Sequence, residues 1–325
     1  MELGNDGRDG DVSKFLITGG AGFIGGHIVE MLVREGHEVV VFDNFSTGSE
    51  ANLAAVQDRV EVVRGDIRDL EALKSAMTGV EHVLHLAAEI SVVKSLEEPG
   101  FVNEVNVGGT LNVLVAARDG GVKRVVMASS CAIYGDTGSR PQKEDLVPRP
   151  LSPYGASKIA GEYYMSVFHT VYGIETVRLR YFNVFGPRQN PGSQYAAVVP
   201  RFIDRILRGQ ELHIYGDGEQ TRDFVYVANV ARANYLACTA PDAPGGVFNI
   251  ASEESVSVNE LARRLIALSG REVEVVHDPP IVGEIRYSAS DIAQARRVLG
   301  YEPAIRFDEG LERTFGYFAA KAGAL

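Results

Sequence analysis

The sequence predicts an α/β protein built on a doubly wound parallel sheet, with a smaller α/β domain in its C-terminal half. Three observations predict it. Short apolar runs alternate with stretches of helical period from Phe15 to Ser130. A glycine cluster that begins at Gly19 separates the first apolar run from the first helix. Beyond Tyr181 the character changes, and Gly186-Pro187, Asn190-Pro191-Gly192 and Gly216-Asp217-Gly218 mark loops between shorter elements. The expected division is a polar tail over 1–13, a sheet domain over 14–182, and a substrate domain over 183–325 with some segments returning to the first.

The first strand is Phe15, Leu16 and Ile17, ending in Thr18. The helix after the glycines carries Ile24, Ile28, Met31 and Leu32 at helical spacing. Gly20-x-Gly22-x-x-Gly25 fits the dinucleotide fingerprint, and Gly19-x-x-Gly22-x-x-Gly25 fits its three-residue-spaced variant. Glycine is needed because the turn takes unusual φ, a pyrophosphate must approach bare backbone, and the helix must sit close to the sheet. The helix N-terminus then offers free N–H groups to the phosphates. A second strand, Glu38 to Phe42, ends in Asp43, where an acid accepts hydrogen bonds from the adenosine ribose and repels a 2′-phosphate. The expected cofactor is therefore NAD rather than NADP, on a Rossmann-type sheet.

The loop after Asp43 holds Asn44, Ser46, Thr47 and Gly48 and can wrap the adenosine end of the cofactor. Val60 to Val63 is a third strand, followed by Gly65-Asp66-Ile67. Asp66 reads either as an acceptor for the adenine amino group or as the N-cap of a helix from Leu70. Val80 to Leu86 is a fourth strand leading into Ala87-Ala88, whose small side chains let the chain run beneath a cofactor. Phe101 to Arg118 is a helix that carries Asn106, and Arg124 to Ala128 is a fifth strand ending in Ser129-Ser130. Asp43, Asp66, Ala87 and Ser130 fall on one rim, at the C-terminal strand ends where such sheets bind ligands. The run from Pro148 to Pro153 is punctuation. Tyr154 to Tyr172 then reads as a helix, and Glu175 to Tyr181 as a strand. Asp223 to Val230 and Val247 to Ile250 read as strands, and Val258 to Leu268 and Ile292 to Leu299 as helices.

Composition narrows the function. The 325 residues are 45% apolar and 23% charged, a globular composition with no apolar run long enough for a membrane span. A net charge of −11 without a basic stripe argues against a nucleic-acid partner. Two cysteines, Cys131 and Cys238, are too few for a disulfide framework, and the N-terminus lacks the basic and apolar regions of a signal peptide; a cytoplasmic protein is expected. His85, His169 and His213 are isolated, so packing or surface roles are expected and no metal site.

Tyr154 and Lys158 lie at i and i+4, on one face of the helix after the fifth strand and downstream of Ser130. A tyrosine that titrates near pH ~10 must be brought down for base work at neutral pH, and ~3 units correspond to about 4 kcal/mol of phenolate stabilisation. An ammonium one turn away and a cationic nicotinamide can supply this, while a serine hydroxyl bridges substrate oxygen and phenolate.

These residues together resemble the extended short-chain dehydrogenase/reductase family, and within it the UDP-glucose and UDP-N-acetylglucosamine 4-epimerases. The matching runs are TGGAGFIG at 18–25, FDN at 42–44, GDIRD at 65–69, HLAA at 85–88, SSCAIYG at 129–135, SPYGASK at 152–158, RYFNVFGPRQ at 180–189, YGDGEQTRDFVYV at 215–227 and GEIRYSASD at 283–291. The resemblance implies that NAD is held by Gly19, Gly22, Phe23, Ile24 and Gly25, by Asp43 and the loop after it, and by Asp66 and Ile67. It adds Leu86, Ala87, Ala88, Asn106, Ser129 and Tyr181 to that site. Tyr154 would be the base, Lys158 its tuner and ribose ligand, and Ser130 the hydroxyl partner. For the sugar nucleotide it implies Ser91, Ser130, Tyr154 and Asn183, a uridine site of Ala197, Val198, His213 and Tyr215, and a diphosphate clamp of Arg222 and Arg286.

The implied reaction is reversible oxidation at C4 of a UDP-hexose, followed by hydride return to the other face. Related 4,6-dehydratases need an acid pair directly after the hydroxyl residue, where this chain has Cys131 and Ala132. A UDP-glucuronate epimerase, a dehydratase, a decarboxylase or a non-catalytic NAD-binding protein are the other readings. The gatekeeping position of the sugar-lining segment falls on Ser288, which is small, and residues 189–200 are similar to those of relatives acting on N-acetylhexosamines. Both the plain and the N-acetylated UDP-hexoses are expected to fit. The resemblance also implies a homodimer formed by helices near 101–118 and 154–172, with Val102, Val105, Phe168 and Tyr172 on the outer faces.

Overall fold

The computed structural model describes residues 12–138, 141–192, 197–280 and 285–323. Residues 1–11 of the expected tail, residues 193–196 and residues 283–284 of the matching runs lie outside that description.

The first half runs β1 (Lys14–Thr18), α1 (Phe23–Arg34), β2 (Glu38–Asp43), β3 (Glu61–Arg64), α2 (Leu70–Ala76), β4 (His82–His85), α3 (Val92–Glu97), α4 (Pro99–Asn103), α5 (Gly109–Asp119), β5 (Arg124–Ser130), α6 (Pro153–Tyr172) and β6 (Glu175–Tyr181). The second half runs β7 (Asn183–Phe185), α7 (Val198–Leu207), β8 (Leu212–Tyr215), β9 (Thr221–Tyr226), α8 (Val227–Thr239), β10 (Val247–Ile250), β11 (Ser255–Ser257), α9 (Val258–Ser269), β12 (Val275–Asp278), α10 (Ala293–Leu299) and α11 (Phe307–Lys321).

Among the described residues, seven parallel strands form the main sheet in the order β10-β6-β5-β4-β1-β2-β3. Covered on both faces, these strands need apolar residues at successive positions. The two-residue period sorts those residues between two cores. Phe15, Ile17, Val39 and Val41 pack with α1, α8 and α10 on one face, while Leu16, Val40 and Phe42 pack with α2, α5 and α6 on the other. The chain leaves β1 toward β2 on one side and reaches β4 on the other, so the strand order reverses there and opens a crevice at the C-terminal strand ends. A third core gathers α7, α9 and α11 around Phe202, Phe224 and Phe307. It carries a three-stranded sheet, β11-β9-β7, beside a separate β12-β8 pair.

Local chemistry sets the ends of the helices that matter here. Ser152 caps α6 by accepting from the Gly155 amide at 3.2 Å, and Pro153 fills the first helical position. Gly173 then ends α6 in the left-handed conformation.

Three expectations are corrected. The cap of α2 is Asp69, which accepts from the Glu71 and Ala72 amides, and not Asp66. Residues 227–230, expected to continue a strand, open the helix α8, because Val227, Val230, Ala231 and Asn234 recur with a helical period and are buried. The expected helix over 101–118 is interrupted by a π-helical turn, Glu104–Gly108, that carries Asn106.

Candidate active site

The glycine turn is built by close approach. Gly19 sits at φ 72°, and a Cβ there would stand 2.8 Å from the Ala87 amide nitrogen. A Cβ on Gly25 would run into the Gly19 carbonyl and lie 2.7 Å from the Gly20 Cα. The first turn of α1 has no side-chain cap and no acid, so its free N–H groups face the groove without an internal competitor. Asp43 closes the turn from the second strand. Its carboxylate accepts from the Ala21 amide at 2.9 Å and from the Phe45 amide at 2.8 Å. Burial raises its pKa above the ordinary carboxylate value, and these two amides oppose the shift.

A groove of about 520 Å³ runs along this rim. Of the residues expected to hold the cofactor, all line it except Gly48 and Asn106. Asn106 is buried in the π-helical turn, where its side chain donates to the Glu89 carbonyl and to Ser157 Oγ, both at 2.9 Å, and accepts from the Glu89 amide at 2.8 Å. It therefore ties the groove wall after β4 to the helix α6, with both of its amide donors engaged inside the protein. Ser129 lines the groove, but its hydroxyl donates to Glu162 at 2.5 Å. Asp66 accepts from Asn44 and from the Arg68 guanidinium, each at 2.9 Å, and these bonds hold its carboxyl well below the usual range. His85 is locked between Thr18 and Thr110, at 2.8 and 2.9 Å, in the packing role expected of it.

The three residues expected to react converge at the floor of the groove. Tyr154 and Ser130 both line the groove floor, where Ser130 acts on the phenol, and Ser130 Oγ accepts from the Ala132 amide at 3.1 Å. Lys158 Nζ donates to the Ala128 carbonyl at 3.0 Å and stands 5.8 Å from the centre of the Tyr154 ring. Burial lowers Lys158 to about 8, against the Glu162 carboxylate, which raises it. Burial pushes Tyr154 up to about 12, with the Ser130 hydroxyl opposing. The protein alone thus leaves the phenol neutral. Bringing it from about 12 to neutrality takes about 7 kcal/mol of phenolate stabilisation, more than the sequence suggested.

A second cavity of about 400 Å³ adjoins the groove, and Val184 lines both. Asn183, Ala197, Val198, His213, Tyr215 and Arg222 line it together, as expected of a sugar-nucleotide site. Arg222 Nη1 donates to the Thr221 and Ile285 carbonyls at 2.8 Å, and His213 is flanked by Asp278 and Glu211, each at 2.9 Å. Arg286, Ser91 and Ser288 line neither cavity. Arg286 forms a two-point ion pair with Asp217 at 2.7 and 2.8 Å, Ser91 caps α3, and Ser288 is buried with its amide on the Thr221 carbonyl.

Sequence reasoning missed part of the groove wall. Lys94 pairs with Glu89 at 2.9 Å and lies 4.4 Å over the Phe101 ring, and Gln189 presents an Oε1 atom without a hydrogen-bond partner. Lys94, Glu89, Phe101 and Gln189 all line the groove. The signal was the acid directly after HLAA with a lysine five residues on; nothing local marked Gln189. Cys131 lies near Arg222 and Asp223, and burial pushes its thiol up to about 12, so it is a packed thiol. No cluster of metal-ligating side chains occurs among the described residues.

A family model described as the NAD dependent epimerase/dehydratase family matches residues 15–251. Among solved structures, a UDP-glucose 4-epimerase from Thermotoga maritima with UDP-glucose is 40% identical, with a TM-score of 0.91, and the match covers 95% of this chain and 99% of that one. A UDP-N-acetylglucosamine 4-epimerase from Methanobrevibacter ruminantium, in complex with UDP-N-acetylmuramic acid, is 37% identical with the same TM-score and the same coverage. A UDP-N-acetyl-alpha-D-glucosaminuronate decarboxylase from Bacillus cytotoxicus is 34% identical over 94% of this chain and 97% of its own. The glycine turn, Asp43 and the bare helix end fit the cofactor that the family is described by, and this chain belongs to the NAD-dependent epimerase/dehydratase family, with NAD as its cofactor.

Proposed function

We propose that the protein interconverts UDP-hexoses at C4, acting on UDP-glucose and UDP-galactose and on their N-acetylated forms. One observation carries this reading. Tyr154, Ser130 and Lys158 line one groove, a second cavity lined by Arg222 shares Val184 with it, and no acid stands at the two positions after Ser130.

NAD, when bound, supplies a hydride acceptor that returns the same hydride, and with it a positive charge near Tyr154. Tyr154 takes the C4 hydroxyl proton, and Ser130 passes hydrogen bonding between sugar oxygen and phenolate. Lys158, fixed on the Ala128 carbonyl, supplies a second cation beside the phenol. Asn183 and Arg222 hold the diphosphate end, so the keto sugar can turn about its phosphate link while the nucleotide stays put. Arg286 joins that clamp by exchanging Asp217 for phosphate oxygens. Cys131, with its thiol raised to about 12, and Ala132, with no proton to give, are unsuited to the acid–base work at C5 and C6 that dehydration needs.

The test is incubation of the pure protein with UDP-galactose and UDP-N-acetylgalactosamine and separation of the products. Both are expected to reach mixtures of C4 epimers. Formation of a 4-keto-6-deoxy sugar without epimers, or release of carbon dioxide in a parallel incubation with UDP-glucuronate, would replace the reading. Ser288→Tyr is expected to suppress N-acetylated turnover selectively; unchanged turnover removes Ser288 as the gatekeeper.

A further inference from the structure

Helix α6 presents Tyr154, Lys158 and Glu162 at four-residue spacing, one above the other on a single face. Each engages a consecutive residue of β5: Tyr154 meets the Ser130 hydroxyl, Lys158 the Ala128 carbonyl, and Glu162 the Ser129 hydroxyl. Nothing in the reaction uses Glu162, yet it is 3% exposed and accepts three hydrogen bonds. One comes from Ser129 at 2.5 Å, and two from the Arg180 guanidinium at 2.9 and 2.7 Å. Ser129 immediately precedes Ser130, and Arg180 immediately precedes Tyr181, which lines the groove. Arg180 also donates to the Tyr134 hydroxyl at 2.9 Å and to the Glu144 carbonyl at 3.1 Å. A carboxylate buried this deeply is stable only with its charge paired and its lone pairs filled, and loss of one partner leaves an unbalanced charge.

We propose that Glu162 is a positioning residue for the reaction: through Ser129 and Arg180 it pins α6 to the ends of β5 and β6 and holds the Lys158 ammonium beneath Tyr154. The inference rests on the 4-epimerase reading for its kinetic arm only. The groups that face Lys158 are Tyr154 and Glu162 on α6, His85 on β4 and the Ala128 carbonyl on β5. Arg180 of β6 pairs with Glu162, and the charge of Arg178 on the same strand also acts on it. His85 is neutral in this setting, so Glu162 is the anion of that set. Its charge acts in the direction that keeps Lys158 protonated, against burial.

The test is a titration of Lys158 by NMR in protein carrying 13C at lysine Cε, with the signal assigned by its loss in Lys158→Met. In Glu162→Gln the Lys158 midpoint is expected to fall by about one pH unit, a tenfold loss of proton affinity. Ser129→Ala keeps the Glu162–Arg180 pair, so its Lys158 midpoint should stay in place. Its kcat for UDP-galactose should drop about tenfold at nearly constant KM, the scale of a misaligned reacting group. An unmoved Lys158 midpoint in Glu162→Gln, or wild-type kcat in Ser129→Ala, overturns the proposal. If Glu162→Gln does not fold, the Ser129→Ala kinetics decide alone. A wild-type protein inert on every UDP-hexose would end the 4-epimerase reading and leave the titration to decide this one.

Discussion

At the scale of the residue, the site sets an electrostatic problem and half solves it. Desolvation favours the neutral form of both Tyr154 and Lys158, pushing the phenol up to about 12 and the ammonium down to about 8. Lys158 therefore loses its charge as pH rises through about 8, and with it the cation beside the phenol. Turnover is expected to fall on the alkaline side near that pH, which a kcat–pH profile checks; a profile flat to pH 10 would remove Lys158 as the tuner. Tyr154→Phe is expected to keep its NAD, because the glycine turn is untouched, and to lose turnover by at least about a thousandfold. Cofactor released on denaturation and product analysis measure the two effects separately.

At the scale of the element, the glycine turn and the first turn of α1 form one phosphate cradle. Gly25→Ala places a methyl group against the Gly19 carbonyl and the Gly20 Cα, which are backbone atoms and cannot swing aside. The loop must then shift, and purified Gly25→Ala protein is expected to carry little NAD while its far-UV circular dichroism stays close to wild type; a full complement of cofactor would refute the cradle. This element was legible in the sequence because its parts are local: a buried strand, three spaced glycines and a helix lie within Phe15 to Arg34. The same holds for Tyr154 and Lys158, one helical turn apart. Residues joined only by folding were not legible. The Arg286–Asp217 and Arg180–Glu162 pairs are of this kind, and so is the grip of Asn106 on Glu89 and Ser157. Helix α7 was hidden by Pro200, which reads as a breaker but is tolerated in a first helical turn. Val227 and Val230 hid α8 by reading as strand residues.

At the scale of the whole molecule, the helix that carries the reacting residues on its inner face has an unusual outer face. The homodimer expected from the resemblance placed Val102 and Phe168 outside, but both are buried, at 0% and 4% exposure: Phe168 packs into the core between helices and sheet, and Val102 sits on α4, which packs on α3 and α6. The exposed apolar residues of α6 are instead Tyr163, Val167 and Val171, again at four-residue spacing, with Tyr164 and the expected Tyr172 beside them. Leu96, Val92 and Val93 of the neighbouring α3 are exposed as well. A patch of this composition, on a chain carrying −11 net charge, is suited to pairing with a second copy of itself, since apolar burial brings copies together without opposing charges. Pairing there would also brace α6 from outside while Ser130, Ala128 and Ser129 hold it from inside. Light scattering after size exclusion is expected to give twice the chain mass for the wild type. A Val167→Glu/Val171→Glu protein is expected to run at the single-chain mass, because two buried carboxylates per copy would face each other across a symmetric contact. If the wild type runs at the single-chain mass at micromolar concentration, the homodimer is wrong. If the double variant stays paired, the contact lies elsewhere on the surface.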